Sequence, residues 1–165
     1  MKAVNISLFS LTLPGAVTIL GLSVAASENA VTIIKLHQSL PQLTTVDSGQ
    51  KGRSPGDVLA FKADLQGNDG LTAKLYGYNS IMDVAVGSKK IEDRVVHIVV
   101  DFGNNSTIIV AGRSTYQPDA LEIKDGLPQP RPIIGGTGRF IGARGQVMTV
   151  RNPDGSYEHS IELIQ

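Results

Sequence analysis

The chain has 165 residues, with 15 basic and 15 acidic side chains and no cysteine. Zero net charge provides no long-range attraction to nucleic acid or to an anionic membrane surface, so we expect neither as a partner. The absence of cysteine excludes disulfides, a thiol nucleophile and thiolate metal sites. The three histidines, His37, His97 and His159, lack the short spacing of a zinc motif, and no metal site is expected.

The N-terminus has the pattern of a targeting segment. Lys2 provides the positive end, residues 4–26 carry no charge, and small residues surround Ala26. This predicts a signal peptide over residues 1–26, export to the periplasm or outside the cell, and a mature domain over residues 27–165. A retained membrane anchor is the alternative, although Pro14 and many Ser and Thr residues count against it.

Period-two alternation dominates the rest of the chain and predicts strands. Eight segments are predicted as strands: residues 31–37, 57–65, 72–79, 94–101, 106–113, 120–123, 143–151 and 157–164. Segments 38–55 and 126–132 are predicted as polar or proline-rich connections. No segment indicates a helix.

Short strands joined by frequent turns predict an all-β barrel or sandwich. A closed antiparallel barrel of eight strands is favoured because it removes exposed sheet edges. Segments 94–101 and 106–113 are apolar at nearly every position, which indicates burial on both faces. Without helices to cover the outer face, a second subunit is the expected cover, so we predict a homo-oligomer.

A glycine-rich stretch spans residues 132–146 and contains Gly135, Gly136, Gly138, Gly142 and Gly145. It suggests a nucleotide loop, but anion binding of that kind needs a following helix. Strand-forming residues follow instead. The stretch therefore predicts a glycine-kinked turn in the barrel.

The sequence Gly-Gly-Thr-Gly-Arg-Phe at 135–140, followed by Ala-Arg-Gly at 143–145, resembles a signature of dirigent proteins. Bacterial proteins of the allene oxide cyclase-like barrel group carry a similar segment. Weaker likenesses lie at residues 46–58 and 106–113. The resemblance implies an eight-stranded calycin-like barrel, commonly a trimer, with an apolar central cavity open at one end. It implies no metal and no organic cofactor.

The activity implied by the resemblance is confinement of a reactive small molecule. We expect a cofactor-free cyclase, isomerase or stereochemical guide acting on an apolar lipid, polyketide or phenolic compound. A non-catalytic carrier of such molecules is the alternative, and a structural barrel filled by its own side chains is a third reading. An enzyme should place several ionisable groups inside the cavity, whereas a carrier should have a mostly apolar lining.

Three charged residues are the candidate catalytic groups. Arg144 matches the arginine of the family's Ala-Arg-Gly segment and is expected to bind a substrate carboxylate or stabilise negative charge. Asp47 and Asp57 are expected to face it across the barrel mouth as general acid or base. The alternatives are a structural ion pair for Arg144 and turn formation for the two aspartates.

Candidate substrate-binding residues lie on the predicted strands. Tyr76 and Tyr78 share one face and are expected to line the cavity, with a subunit interface as the alternative; Phe61 and His97 complete the set. Ser54 lies in a Gly-x-Ser-x-Gly pattern, but a polar loop precedes it and no helix follows, which disfavours a hydrolase.

Overall fold

The computed structural model describes residues 8–9, 21–22, 30–84, 87–88 and 91–164. Leu8–Phe9 and Gly21–Leu22 pair as a short antiparallel ladder. The rest of the predicted signal segment lies outside the described residues. In the part of the chain that is described, no helix has the length and apolar character needed to cross a bilayer.

Nine strands follow within residues 30–84 and 91–164, and every pairing between them is antiparallel. In chain order they are β1 (Val31–Gln38), β2 (Gln42–Val46), β3 (Val58–Gly67), β4 (Thr72–Asp83), β5 (Glu92–Asp101), β6 (Thr107–Tyr116), β7 (Gln129–Gly136), β8 (Arg144–Arg151) and β9 (Tyr157–Ile164). Two short 3-10 turns, Asn68–Gly70 and Gly138–Phe140, interrupt them. The predicted all-β class is confirmed.

The sheet closes on itself through β1. Strands β3 to β9 pair in sequence, β9 pairs with β1, and β1 returns to β3 through Leu36↔Gly67 and Gln38↔Leu65. Strand β2 continues along the same edge of β3, from Gln42↔Lys62 onward. Because β1 and β2 share one position, nine strands form an eight-stranded closed barrel, as predicted.

The prediction for residues 120–132 is wrong. Residues 120–123 lie in the β6–β7 loop (residues 117–128), and the strand is β7. It takes up the end of the predicted crossing (residues 126–132) and the start of the glycine-rich stretch predicted as a turn. Proline normally interrupts a sheet because it has no N–H to donate. Pro130 and Pro132 are tolerated because the β6 ladder reaches only Ile133 and the residues after it.

The predicted connection over residues 38–55 is also partly wrong, because it contains β2. Every residue of β2 is exposed. The strand therefore carries no alternation of apolar and polar side chains that would reveal it in the sequence.

The barrel interior has two different halves. Apolar side chains fill the half toward the Gly138–Phe140 turn, including Leu65, Ile108, Val110 and Ile161. Phe140 packs on Phe102 with ring centroids 4.9 Å apart and covers this closed end. The other half, where β1 ends and β9 begins, opens at what we call the mouth.

Gly145 allows β8 and β9 to approach closely. Its φ is +140°, and a Cβ at this position would overlap the carbonyl oxygen of Glu162. We expect Gly145→Ala to lower the free energy of unfolding by at least about 2 kcal/mol, because a backbone atom cannot move aside. Urea denaturation measures the change.

Gly135→Ala is the matched control from the same glycine-rich stretch. No atom lies within 4 Å of a Cβ built there, so its unfolding free energy should stay within about 0.5 kcal/mol of the parent. Equal losses in the two variants would contradict this explanation.

Candidate functional site

A cavity of about 490 Å³, counted with its open mouth, occupies the second half of the interior. Its apolar wall includes Leu59, Phe61, Leu75, Val96 and Ile98. Among the polar residues in the lining, five form what we call the polar cluster: Gln38, Arg131, Thr149, Tyr157 and His159. All five are buried. The cavity thus combines an apolar wall with buried polar groups.

Arg131 reaches into the barrel from β7. One terminal nitrogen, Nη2, donates a hydrogen bond of 2.6 Å to Oγ of Ser114. Ser114 in turn donates to Oε1 of Gln129 over 3.3 Å, so β6 and β7 together position the guanidinium. Its Nε is buried and has no hydrogen-bond partner among the described residues. Burial lowers the pKa of this guanidinium, yet an arginine remains charged in a protein.

His159 is a fixed, uncharged member of the polar cluster. Its Nε2 lies 2.9 Å from Oε1 of Gln38, and its Nδ1 lies 3.0 Å from Oγ1 of Thr149. Because an amide oxygen only accepts, we assign the proton to Nε2 and let Nδ1 accept from Thr149. Burial, followed by the charge of Arg131, lowers the pKa of His159 to about 3.

Tyr157 and Glu122 form a hydrogen-bonded pair at the mouth. The Tyr157 hydroxyl donates to Oε1 of Glu122 over 2.8 Å. Arg151 donates to Oε2 of the same carboxylate over 3.2 Å. Burial and then the hydrogen bond to Glu122 raise the pKa of Tyr157 far above its ordinary value. The phenol is therefore a hydrogen-bond donor at neutral pH.

A buried charge network fixes the β6–β7 loop beside the mouth. Both oxygens of Glu92 accept hydrogen bonds, over 2.6 and 2.8 Å from Arg53 and over 2.6 Å from Arg94. Burial alone raises the pKa of Glu92, but these two arginines outweigh it, and the pKa lies below its ordinary value. The arginines also donate to the loop carbonyl oxygens of Ala120 and Leu121. The loop then contributes Glu122 to the cavity wall.

Three of the predicted site residues lie near the mouth. Phe61 is in the apolar wall. Asp47 and Asp57 line an adjoining cavity of about 540 Å³, counted with its open side. It shares Leu59, Asn79 and Leu121 with the first cavity.

The contacts of the two aspartates are with their own loop. Asp57 accepts from the backbone N–H groups of Ser48 and Ser54 over 2.9 and 2.8 Å, and these bonds lower its pKa. Asp47 accepts from the N–H of Gly52 over 3.1 Å.

Tyr76, Tyr78 and His97 do not line the cavity. The two tyrosines are 45% and 47% exposed, and Tyr78 stacks on His97 with ring centroids 5.7 Å apart. They do share a face, but it is the outer one, because Ala73, Leu75 and Asn79 occupy the inner positions of β4. Periodicity groups residues by face without saying which face is inside.

Arg144 also lies outside the cavity. It is the exposed first residue of β8, where it pairs with Ile164, and the inward positions of that strand belong to Val147 and Thr149. The β1 partner of Ile164 is Val31, at the opposite end of the barrel from the mouth. The expected convergence of Arg144 with Asp47 or Asp57 is therefore not found.

Sequence reasoning missed Glu122 and all five residues of the polar cluster. One signal was present in β9, where Tyr157 and His159 alternate in step with the apolar Ile161 and Leu163. Arg131 gave no usable signal, since it lies between two prolines in a segment predicted as a crossing. Among the described residues, no group of three His, Asp or Glu side chains is arranged to hold a metal ion.

Comparison with known proteins gives structural likeness only. No family profile and no curated protein matches the chain. Pyocyanin demethylase matches with a TM-score of 0.58 and 16% identity, over 81% of this chain and 99% of its own.

Two further solved structures share the barrel. A nonspecific heme-binding cyclase, described as catalysing a 4 + 2 cycloaddition during neoabyssomicin biosynthesis, matches with a TM-score of 0.60 and 18% identity over 84% of this chain and 66% of its own. The Diels Alderase AbmU from Streptomyces koyangensis matches with a TM-score of 0.57 and 15% identity over 85% of this chain and 71% of its own. These likenesses establish the fold. None of the three is described as a dirigent protein or an allene oxide cyclase, so that relationship stays a prediction.

The buried network at Glu92 generates a test of stability. Glu92 and Arg94 are each about 1% exposed, so Glu92→Gln leaves a buried cation without its carboxylate. We expect a loss of about 3 kcal/mol or more in the free energy of unfolding, measured with urea.

Glu158→Gln is the control, because the His37–Glu158 pair is about half exposed. Its loss should be at most about 1 kcal/mol. A Glu92→Gln variant as stable as this control would show that the network does not support the mouth.

His159 makes a testable contribution to acid sensitivity. Its pKa is about 3 in the folded protein and 6.5 ordinarily. Between pH 6.5 and about pH 3, His159 is therefore protonated in the unfolded chain but not in the folded protein. Because of this difference, the free energy of unfolding decreases as the pH is lowered through that range. The slope is about 1.4 kcal/mol per pH unit.

In His159→Gln, the free energy of unfolding measured between pH 3 and 6.5 should no longer show this contribution to its pH dependence. His97→Gln, which alters a half-buried histidine on the outer face, should retain it. Parallel pH profiles for the parent and His159→Gln would rule out a buried neutral histidine.

Proposed function

We propose that this protein is a small-molecule enzyme of the cyclase or isomerase class, acting on an apolar substrate held in the barrel cavity. The observation that carries the proposal is the lining of that cavity, where Arg131, Glu122, Tyr157 and His159 lie within an apolar wall. Enclosed sites that combine apolar walls with a few placed polar groups are the usual form of small-molecule sites.

The apolar wall supplies the first part of the proposed chemistry. A slender molecule lying against Leu59, Phe61 and Ile98 has few conformations available, so its reacting atoms are held close together. Closing a ring or moving a double bond within one molecule gains most from this restriction. The proposed reaction rearranges bonds within the substrate and adds no atoms.

The polar groups supply the second part. Arg131 offers a fixed positive charge to an oxygen that gains negative charge as the substrate reacts. Glu122 can accept a proton from the substrate at the mouth. Tyr157 positions this carboxylate, because its hydroxyl donates to Oε1 of Glu122 over 2.8 Å. His159 orients Gln38 and Thr149 rather than reacting, since both of its nitrogens are engaged.

The solved structures support this proposal by analogy of fold. Two of them are described as a cyclase and a Diels Alderase, and both share the barrel with this chain. Proteins of one fold serve many functions, so the site residues carry the argument and the likeness adds to it. A carrier of apolar molecules is the competing function, and the ionisable lining counts against it.

Export and assembly belong to the same proposal. We infer export from the signal-peptide pattern of the N-terminus. We infer a homo-oligomer, with a trimer favoured, from the family resemblance and from the apolar outer strands. Exposed apolar side chains on the outer faces of β4 and β5, including Tyr76, Tyr78 and Val95, support the second inference. The proposed reaction uses no metal and no organic cofactor.

The activity test exploits the unchanged mass of a rearranged product. The full-length protein is incubated with conjugated polyene acids, their esters and phenolic compounds, and the mixtures are analysed by liquid chromatography with high-resolution mass spectrometry. We expect a product of unchanged mass and a new retention time. Val96→Phe, which places a ring in the cavity, should lower kcat/KM at least about tenfold.

Val95→Phe is the matched control, because Val95 is 47% exposed on the outer face whereas Val96 is 1% exposed and lines the cavity. It should keep the parent rate, with folding of both variants checked by circular dichroism. Ligands that bind but are recovered unchanged would identify a carrier. Equal rates in the two variants would place the reaction outside this cavity.

A further inference from the structure

Arg131 is a buried cation whose charge is not matched by a carboxylate. It is 5% exposed, and among the described residues no Asp or Glu forms an ion pair with it. The other arginines around the mouth differ in this respect. Arg53 and Arg94 are paired with Glu92, and Arg151 is paired with Glu122 and Asp125.

Both oxygens of each nearby carboxylate already accept hydrogen bonds from other groups. Glu122 accepts from Tyr157 with one oxygen and from Arg151 with the other. Glu92 likewise accepts hydrogen bonds with both oxygens. Neither is hydrogen-bonded to Arg131, so the polar cluster retains one positive charge.

Burial of an unpaired charge is costly, and native proteins rarely leave a buried donor without an acceptor. Arg131 is buried without a carboxylate partner, and in addition its Nε has no hydrogen-bond acceptor among the described residues. Its neighbours nevertheless hold it in place, since Nη2 is bonded to Ser114, which is bonded to Gln129. A group that is held rigidly but left unsatisfied indicates that something else completes it.

We propose that Arg131 binds an oxyanion of the ligand, so that the substrate class is an apolar carboxylic acid bound as its carboxylate. The guanidinium is the side chain best matched in shape to a planar carboxylate. The apolar wall of the same cavity then takes the hydrocarbon part. The carboxylate-binding role expected for Arg144 thus falls to Arg131. This inference rests on the proposed function only in placing the ligand in that cavity.

The binding test compares an acid with its uncharged ester. Sorbate, a short conjugated dienoate, and methyl sorbate are titrated into the full-length protein at neutral pH by isothermal titration calorimetry. We expect sorbate to bind at least about tenfold more tightly, as a hydrogen bond to a charged group predicts. Equal affinities for the acid and the ester would overturn the proposal.

Three variants test whether Arg131 causes the preference for the acid over its ester. Arg131→Met should abolish it, and Arg131→Lys should restore part of it because the charge remains. Arg144→Met removes an arginine from the outer face and should leave it intact. A preference that survives Arg131→Met, or that disappears in Arg144→Met, would contradict the assignment.

Thermal unfolding separates binding from a structural role. Without ligand, Arg131→Met should unfold at the same temperature as the parent or higher, since the substitution removes an unmatched buried charge. If Arg131→Met does not fold, the comparison of acid with ester in the parent and in Arg131→Lys decides the question. Acid preference without any rearranged product would support this anion site and reject the cyclase. Rearrangement of methyl sorbate, together with equal affinities for the acid and the ester, would support the cyclase and reject the anion site at Arg131.

Discussion

Closure of the barrel between β1 and β3 is the constraint on which the other features of this protein depend. Pairing of Leu36, His37 and Gln38 with the end of β3 joins the two edges of the sheet and creates an interior. Inward positions near Phe140 are apolar and pack as a core, whereas those near Gln38 carry hydrogen-bonding side chains. The closed end can therefore supply stability while the mouth retains a cavity.

Charge is distributed unevenly within the open half. The Arg53, Glu92 and Arg94 network is neutralised in part by its own carboxylate, and it holds the β6–β7 loop through the carbonyl oxygen of Ala120. Arg131 has no such partner among the described residues, although Ser114 fixes its direction. Buried groups of the first kind maintain architecture, and a rigid group of the second kind suits recognition of a ligand.

Most of the fold could be predicted from local pattern, and most of the candidate site could not. Alternation located β3, β8 and β9 because one face of each strand packs inward. It failed for β7, where proline concealed an ordinary strand, and for β2, which is exposed throughout. For Tyr76 and Tyr78 it found the shared face and chose the wrong side.

The sequence by itself determined an all-β chain and seven of the eight strand positions of the barrel, since period two and turn residues are local properties. The lack of room for a side chain at Gly145 comes from the tertiary structure, because the atom in the way is the carbonyl oxygen of Glu162 on β9. Only the tertiary structure decided that Arg131, His159 and Tyr157 meet in one cavity while Arg144 lies outside it. The physical reason is that β7 and β9 are separated in sequence and come together through strand register and closure, which alternation within a single strand does not encode.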